Sequence, residues 1–169
     1  MKKKKVIGRN TNIVFKLCYL TLKTKIRFFL NDIHEKNKRL SLNFGHTFAH
    51  AIEMAIEQRL KKDFIRHGEA VGIGMLCEVF YEKKRKEKIF CIIEKLLKEY
   101  NLPTRIYLKK IPFNKNVLQD SIYKNIFLDK KRAGKNPRYI SIGALQKSKI
   151  KEIIDYDHLN ETIINAMHE

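Results

Sequence analysis

Three of the six histidines fall within 22 residues, beside side chains that could hold a metal ion or an anion. His46 and His50 are four residues apart, so their imidazoles share one face if the segment is a helix. Helical zinc sites use this spacing. His67 opens a second apolar run, where the N-terminus of a helix would present unpaired N–H groups to a bound group. The cluster predicts a metal site or an active site.

The residue types alone do not decide which side chains would bind such a metal. A catalytic zinc usually has three protein ligands and one open position. His46, His50 and His67 are the natural trio, with Glu53 or Glu69 as alternatives. The competing interpretation is that these histidines only satisfy hydrogen bonds inside the core. Three histidines so close together favour the metal or active-site interpretation.

Further polar residues precede the histidines at helical spacing. Arg39 lies seven residues before His46 and Asn43 lies three before it, so a continuous helix would place both on the side that carries His50. An arginine fork suits a carboxylate and a lysine suits a phosphate. The cations that could meet on an anionic substrate are Lys25, Arg39, Lys130 and Lys131. We therefore predict a substrate-facing stripe on this helix.

The apolar pattern predicts a mainly α chain. Periodicity and terminators indicate helices over residues 12–31, 40–60, 67–84, 87–100 and 115–128, and a closing helix over 157–167 with Asp157 as its N-cap. At most a short strand is expected near 138–145. Gly72 and Gly74 each cost a helix about 1 kcal/mol, which is understandable if another backbone packs closely there. No βαβ alternation or glycine-rich nucleotide loop appears.

Size and composition fit one globular domain. The chain has 169 residues, 44% of them apolar, which is enough to bury a core. The net charge of +18 would ordinarily suggest nucleic acid, but the lysines are spread along the whole chain without a nucleic-acid-binding motif. Charged residues interrupt every apolar run that could span a membrane. We expect a cytoplasmic protein that binds neither nucleic acid nor membrane.

The ordered motifs resemble the C-terminal domain of the 3-dehydroquinate synthases, which are sugar-phosphate cyclases. The two main motifs are Arg39-x3-Asn43-x-Gly45-His46-Thr47-x2-His50-Ala51-Ile52-Glu53 and His67-Gly68-Glu69-Ala70-Val71-x-Ile73-Gly74-Met75. Lys25 with Asp32, Asp129-Lys130-Lys131 and Ile142-Gly143 match further signatures in the same order. The resemblance covers roughly residues 20–157. We expect a basic, poorly matched segment over 1–19 and a helical metal- and substrate-binding domain over 20–169.

The resemblance implies a multi-helical domain that normally follows an NAD-binding α/β domain, with the active site in the cleft between them. The family converts 3-deoxy-D-arabino-heptulosonate 7-phosphate to 3-dehydroquinate in the shikimate pathway, which leads to chorismate. It uses NAD and a divalent metal, zinc or cobalt. The implied partners are the sugar phosphate, the NAD-binding domain or its separate chain, and a second copy in a homodimer of the full enzyme.

The resemblance also implies a role for each motif residue. His46 and His67 would be metal ligands, and His50 moves from metal ligand to substrate contact. The substrate contacts would be Lys25, Arg39, Asn43, His50 and a lysine of Lys130-Lys131, with Lys25 and His50 also catalytic. The family's third metal ligand is a glutamate N-terminal to the matched region. We therefore expect the chain to be inactive without an NAD-binding domain.

Two alternatives accompany this interpretation. Another sugar-phosphate cyclase, such as a 2-deoxy-scyllo-inosose synthase, would share the motifs, because they describe the chemistry more than the substrate. A non-catalytic remnant or a subunit of a split enzyme would keep the site residues without the activity. A domain that faces a partner should also expose an apolar patch beside His46.

Overall fold

The computed structural model describes residues 10–34, 38–60, 64–82, 88–112, 114–128, 136–144 and 147–168. The six α-helices of this part of the chain are α1 Thr11–Asn31, α2 His46–Leu60, α3 His67–Tyr81, α4 Lys88–Glu99, α5 Lys115–Leu128 and α6 Tyr156–Asn165. Short 3-10 helices cover Lys38–Asn43 and Leu108–Lys110. The prediction of a mainly α domain is confirmed.

Helix α2 lies at the centre of the core and packs against α3 and α5. Its fully buried face repeats at helical spacing through Phe48, Ile52 and Ile56. Isoleucines and leucines of the neighbouring helices close the same cluster; they are Ile73, Leu118, Ile122, Ile126, Leu159 and Ile163. Helix α4 packs on α3 through a separate small cluster. The core therefore fixes the relative positions of α2 and α3, the two helices that carry the histidines.

The strands form two small sheets. β2 (Arg138–Ala144) and β3 (Lys147–Glu152) make an antiparallel hairpin in which Ile140 pairs with Ile150. β1 (Ile106–Tyr107) and β4 (Met167–His168) pair in parallel over two residues. The predicted strand over 138–145 is present, but the expectation of at most one strand is corrected. β3 carries lysines at alternate positions and its described side chains are exposed, so its sequence lacks the buried face that marks a strand.

The segment before His46 differs from the sequence-based prediction. Helix α2 begins at His46, not near residue 40, and Lys38–Asn43 is a separate 3-10 helix. Gly45 separates the two with a φ of +86°, a left-handed conformation that ends the preceding turn and that glycine adopts without strain. Arg39 and Asn43 therefore do not share an α-helical face with the histidines. The prediction of one continuous polar stripe is wrong.

The remaining helix limits agree closely with the predictions, with two corrections. Helix α3 ends at Tyr81 rather than near residue 84. The N-cap of α6 is Asp155, not Asp157, because the Asp155 carboxylate accepts a hydrogen bond from the amide of His158 at 3.0 Å. Asp157 lies in the first turn of that helix. Both corrections move a helix end by two or three residues.

Helix α1 is capped by the side chain of Asn10 and buries none of its residues. Large apolar side chains along it are exposed, including Phe15 at 73% and Leu22 at 59%. Its principal contact is with the 3-10 helix Lys38–Asn43. Among the described residues, no helix combines the length and the hydropathy that crossing a membrane requires. α1 therefore offers a long apolar surface that the described residues leave uncovered.

Candidate metal and substrate site

Helices α2 and α3 approach each other most closely at two glycines. A Cβ at position 74 would overlap the carbonyl oxygen of Gly45 and would lie 3.0 Å from the amide of Ala49. A Cβ at Gly45 would in turn lie 2.7 Å from the amide nitrogen of Met75. The close backbone approach predicted for the glycines of α3 is confirmed at Gly74, whereas Gly72 faces only the side chain of Leu97. This contact brings the start of α2 against the middle of α3.

The three histidines of the sequence cluster meet in space. The ring centroids lie 5.5 Å apart for His46 and His50, 5.3 Å for His46 and His67, and 5.8 Å for His50 and His67. His46 and His50 lie one turn apart on α2, and His67 is the first residue of α3. His50 and His67 are exposed and His46 is half-buried. The three rings therefore form one cluster where α2 meets α3.

His46 has an unsatisfied ring nitrogen. Its Nδ1 atom is buried and has no hydrogen-bond partner among the described residues. Burial lowers the pKa of His46 and repulsion from His50 and His67 lowers it further, against the raising effect of the Phe44 carbonyl. A neutral imidazole is the form that binds a metal. A neutral imidazole whose N–H meets a backbone carbonyl offers its other ring nitrogen to a metal, so His46 beside two further imidazoles fits a bound cation.

Glu53 adds a carboxylate to the cluster. Its two oxygens lie 3.0 and 3.1 Å from Nδ1 of His67. Ligand atoms of His50, Glu53 and His67 lie within 4.8 Å of one another, which is close enough to hold a metal ion. A carboxylate that binds one ring nitrogen of a histidine leaves the other available to a metal and fixes the ring. The donor set therefore fits a divalent ion such as zinc.

Glu69, the other carboxylate considered from the sequence, has a different role. Its Oε2 accepts a hydrogen bond from the amide of Arg66 at 3.0 Å and so caps α3. It lines a separate cavity of about 550 Å³ together with Phe64 and Arg105. No histidine lines that cavity among the residues described. Glu53 rather than Glu69 is thus the carboxylate of the histidine cluster.

A cavity of about 230 Å³ opens beside His46 and His50. Its walls come from the 3-10 helix, the start of α2 and the hairpin; they include Leu40, Asn43, Thr47, Asn136, Arg138, Ile140 and Ile150. The Thr47 hydroxyl donates to the carbonyl of Arg138 at 2.7 Å. The Ser41 and Ser148 hydroxyls lie 2.6 Å apart. These contacts attach the hairpin to the segment that carries Asn43 and His46.

The structure distributes the predicted substrate residues unevenly. Asn43 lines the cavity with His46 and His50. The guanidinium of Arg39 instead lies 4.9 Å from the ring centre of Phe29 and donates to the carbonyl of Ile33. Lys25 is exposed on α1, and within the described part of the chain no hydrogen bond or ion pair connects it to the histidines. Lys130 and Lys131 lie outside the described residues.

Several residues around the cavity were missed by sequence reasoning. Asn136 and Arg138 enter the site from the hairpin, and only the position of Arg138 at the start of a predicted strand could have indicated this. Glu78 is 1% exposed and its Oε2 accepts a hydrogen bond from the amide of Ile140 at 3.2 Å. Burial raises the pKa of Glu78 to about 8. A single acid within the apolar run 70–81 was the available signal for it.

The fold is a mainly α domain whose candidate metal ligands come from two adjoining helices. The family model described as 3-dehydroquinate synthase C-terminal matches residues 2–132. Because this match covers well over half of the chain, the chain belongs to the 3-dehydroquinate synthase C-terminal family. The family resemblance carried by the histidine motifs is confirmed.

Curated proteins named 3-dehydroquinate synthase are similar over much of the chain. The protein of Campylobacter jejuni subsp. jejuni serotype O:6 is 30% identical over 150 residues, which are 85% of this chain and 38% of that protein. The protein of Campylobacter hominis is 31% identical over 92% of this chain and 42% of its own length. The protein of Sulfurimonas denitrificans is 36% identical over 65% of this chain and 29% of its own length. The chain thus spans less than half the length of these relatives.

Proposed function

We propose that this chain supplies the metal- and substrate-binding half of a 3-dehydroquinate synthase. The observation that carries the proposal is the meeting of His46, His50 and His67, with ring centroids 5.3–5.8 Å apart, inside a domain of that family. The reaction is phosphate elimination from 3-deoxy-D-arabino-heptulosonate 7-phosphate followed by ring closure to 3-dehydroquinate. The location in the cytoplasm expected from the sequence is part of the same proposal.

His46 and His67 are the proposed metal ligands, and Glu53 orients His67 through its Nδ1 atom. When bound, a zinc or cobalt ion lowers the pKa of a coordinated hydroxyl and polarises a carbonyl. NAD, held by a separate α/β domain, would accept a hydride from the substrate and later return it. The lowered pKa of His46 supports its place in the ligand set, because burial favours the neutral imidazole, which is the form that binds a metal.

The remaining cavity residues bind and orient the substrate. His50 is exposed on α2 and faces the same cavity as Asn43, so both can donate hydrogen bonds to substrate oxygens. Arg138 lines that cavity and offers a forked cation for a phosphate or carboxylate. Lys25, Arg39 and one of Lys130 and Lys131 complete the proposed contacts. His50 and Lys25 are the proposed groups that move protons.

The proposed partner is the NAD-binding domain of such a synthase, as a domain or a separate chain. Helix α1 supports this because it exposes apolar side chains along its whole length and carries Lys25, a proposed substrate contact. Burying such side chains against a second domain would gain about 1.5–3 kcal/mol each. A homodimer of the complete enzyme is part of the proposal.

Phosphate release tests the proposed activity. The chain is mixed with the NAD-binding domain of a related synthase, NAD, zinc and the heptulosonate phosphate, and free phosphate is measured together with the organic product. We expect phosphate and 3-dehydroquinate, with a loss of at least about a hundredfold for His46→Ala. His158→Ala, outside the site, is the matched control. A different cyclic product would indicate another cyclase, and no phosphate release would support a non-catalytic role.

A further inference from the structure

Glu78 is a buried acid that the proposed reaction does not use. It lies on α3 one turn after Gly74, so both residues face the start of α2. The glycine allows the two backbones to touch there. Glu78 lies just beyond this backbone contact, and its side chain is only 1% exposed. A buried carboxyl at this place requires an explanation, since an uncompensated one costs several kcal/mol.

The groups that face Glu78 are backbone amides from two different elements. Its Oε2 accepts a hydrogen bond from the Ile140 amide of β2 at 3.2 Å. The amides of Gly45 and Thr47 also interact favourably with the carboxyl, although Oε1 completes no hydrogen bond among the described residues. The first amides of a helix have no partner within the helix. Glu78 therefore lies beside the first amides of α2, where the acceptor of an N-cap would lie, and it comes from another helix.

We propose that Glu78 is a positioning residue that holds the first turn of α2 against β2 and so sets the place of His46. His46 lies between Gly45 and Thr47, so any shift of these amides shifts its ring. The same carboxyl binds Ile140, which lines the cavity beside His46. The inference rests on the proposed function only in treating His46 as a site residue.

Amide hydrogen exchange of the full chain tests this role. Glu78→Met removes both acceptor oxygens at similar volume. Glu82→Met is the matched control, because Glu82 lies four residues further along the chain at the C-cap of α3, has a nearly buried side chain, and accepts from Tyr139 and Lys151 instead. We expect exchange at residues 45–48 to be about tenfold faster in the Glu78 variant than in the control, because the acceptor oxygens beside these amides are gone. Amides in the middle of α2 should change equally in both.

Glu78→Gln separates positioning from general stability. Glutamine has one acceptor oxygen, so it keeps the Ile140 hydrogen bond but cannot accept from the α2 amides with its NH2 group. We expect protection at Ile140 to be retained while exchange at 45–48 increases, and the His46 ring resonances to shift. If Glu78→Met does not fold, Glu78→Gln tests the same increase in exchange at residues 45–48, with Glu82→Gln as its control.

Two results would overturn the inference. Uniformly faster exchange over the whole core would make Glu78 a general stabilising residue, and unchanged exchange at residues 45–48 would remove its role at α2. Neither measurement involves substrate, NAD or metal. A failure here is therefore distinguishable from a failure of the proposed synthase activity, which phosphate release reports separately.

Discussion

At the scale of single residues, the main polar contact of the site joins the Glu53 carboxylate to the His67 imidazole. The carboxylate contacts Nδ1 of His67 with both oxygens, and its side chain is only 15% exposed. Such a partner fixes the tautomer of a metal-binding histidine and raises its basicity. The pair explains how an otherwise exposed histidine keeps one orientation toward His46.

The substitution Glu53→Gln should weaken metal binding by about tenfold, the lower end of the effect of losing such a partner. Glu57→Gln is the matched control, since Glu57 is exposed one turn further along the same helix. The affinity for Co²⁺ is measured by titration of the chain and by competition with Zn²⁺. Equal affinities of the two variants would show that Glu53 does not orient a ligand.

The raised pKa of Glu78 should make the stability of the fold depend on pH. Burial raises its pKa from 4.5 to about 8, so the folded state binds its proton more tightly than the unfolded state does. The protonated Glu78 therefore stabilises the fold fully below about pH 4.5. The free energy of unfolding should then decrease as the pH increases to about 8, by up to about 1.4 kcal/mol per pH unit. Urea unfolding across this range should show the slope in the parent protein. A similar slope in Glu78→Met would contradict the assignment.

At the scale of elements, the contact of α2 with α3 determines the geometry of the site. Gly45 turns the chain into α2 and Gly74 lets the two backbones touch, which places His46 beside His67. The hairpin closes the third side through the Thr47 hydroxyl. The two glycines therefore matter for position rather than for chemistry.

The substitution Gly74→Ala should lower the free energy of unfolding by about 2–3 kcal/mol, because the added methyl group meets backbone that cannot move aside. Gly68→Ala is the control, since nothing lies within 4 Å of a Cβ at that position. It should change stability by less than about 1 kcal/mol. Both values come from urea unfolding. If Gly74→Ala left the free energy of unfolding unchanged, α2 and α3 would be able to move apart without loss of stability.

Sequence periodicity predicted the helices well, because each has a buried face with regular spacing. It predicted the start of α2 poorly, because the segment before Gly45 also has apolar residues at helical spacing. The positive φ of Gly45 separates this segment from α2, and periodicity does not reveal that backbone angle. Spacing brought His46, His50 and His67 together correctly. The site residues of the hairpin and Glu78 depend on contacts more than 60 positions away in the chain, such as Glu78 with Ile140, which periodicity does not contain.

At the scale of the whole molecule, α1 is the surface that the proposed second domain would contact. Leu22 and Phe29 are exposed on the same face of α1 as Lys25, whereas Leu20 is exposed on the opposite face. A domain that completes the active site would cover the face that bears Lys25.

The substitution Leu22→Glu should weaken association with the NAD-binding domain by about tenfold, because it replaces a buried apolar side chain with a charge. Leu20→Glu should leave the association unchanged and serves as the control for altered charge and helix content. Sedimentation of the mixed proteins gives both dissociation constants. Equal effects of the two substitutions would show that this face of α1 is not the contact.

Metal binding at the histidine cluster is the central claim. Titration of the chain with Co²⁺, followed by its visible absorption, should give one ion per chain. His46→Ala and His67→Ala should each lower the affinity at least about tenfold, since each removes a ligand. His158→Ala should not change it, because His158 lies with Glu161 and Phe80, outside the cluster. Binding that is absent in the parent chain, or equally strong in all three variants, would contradict the claim.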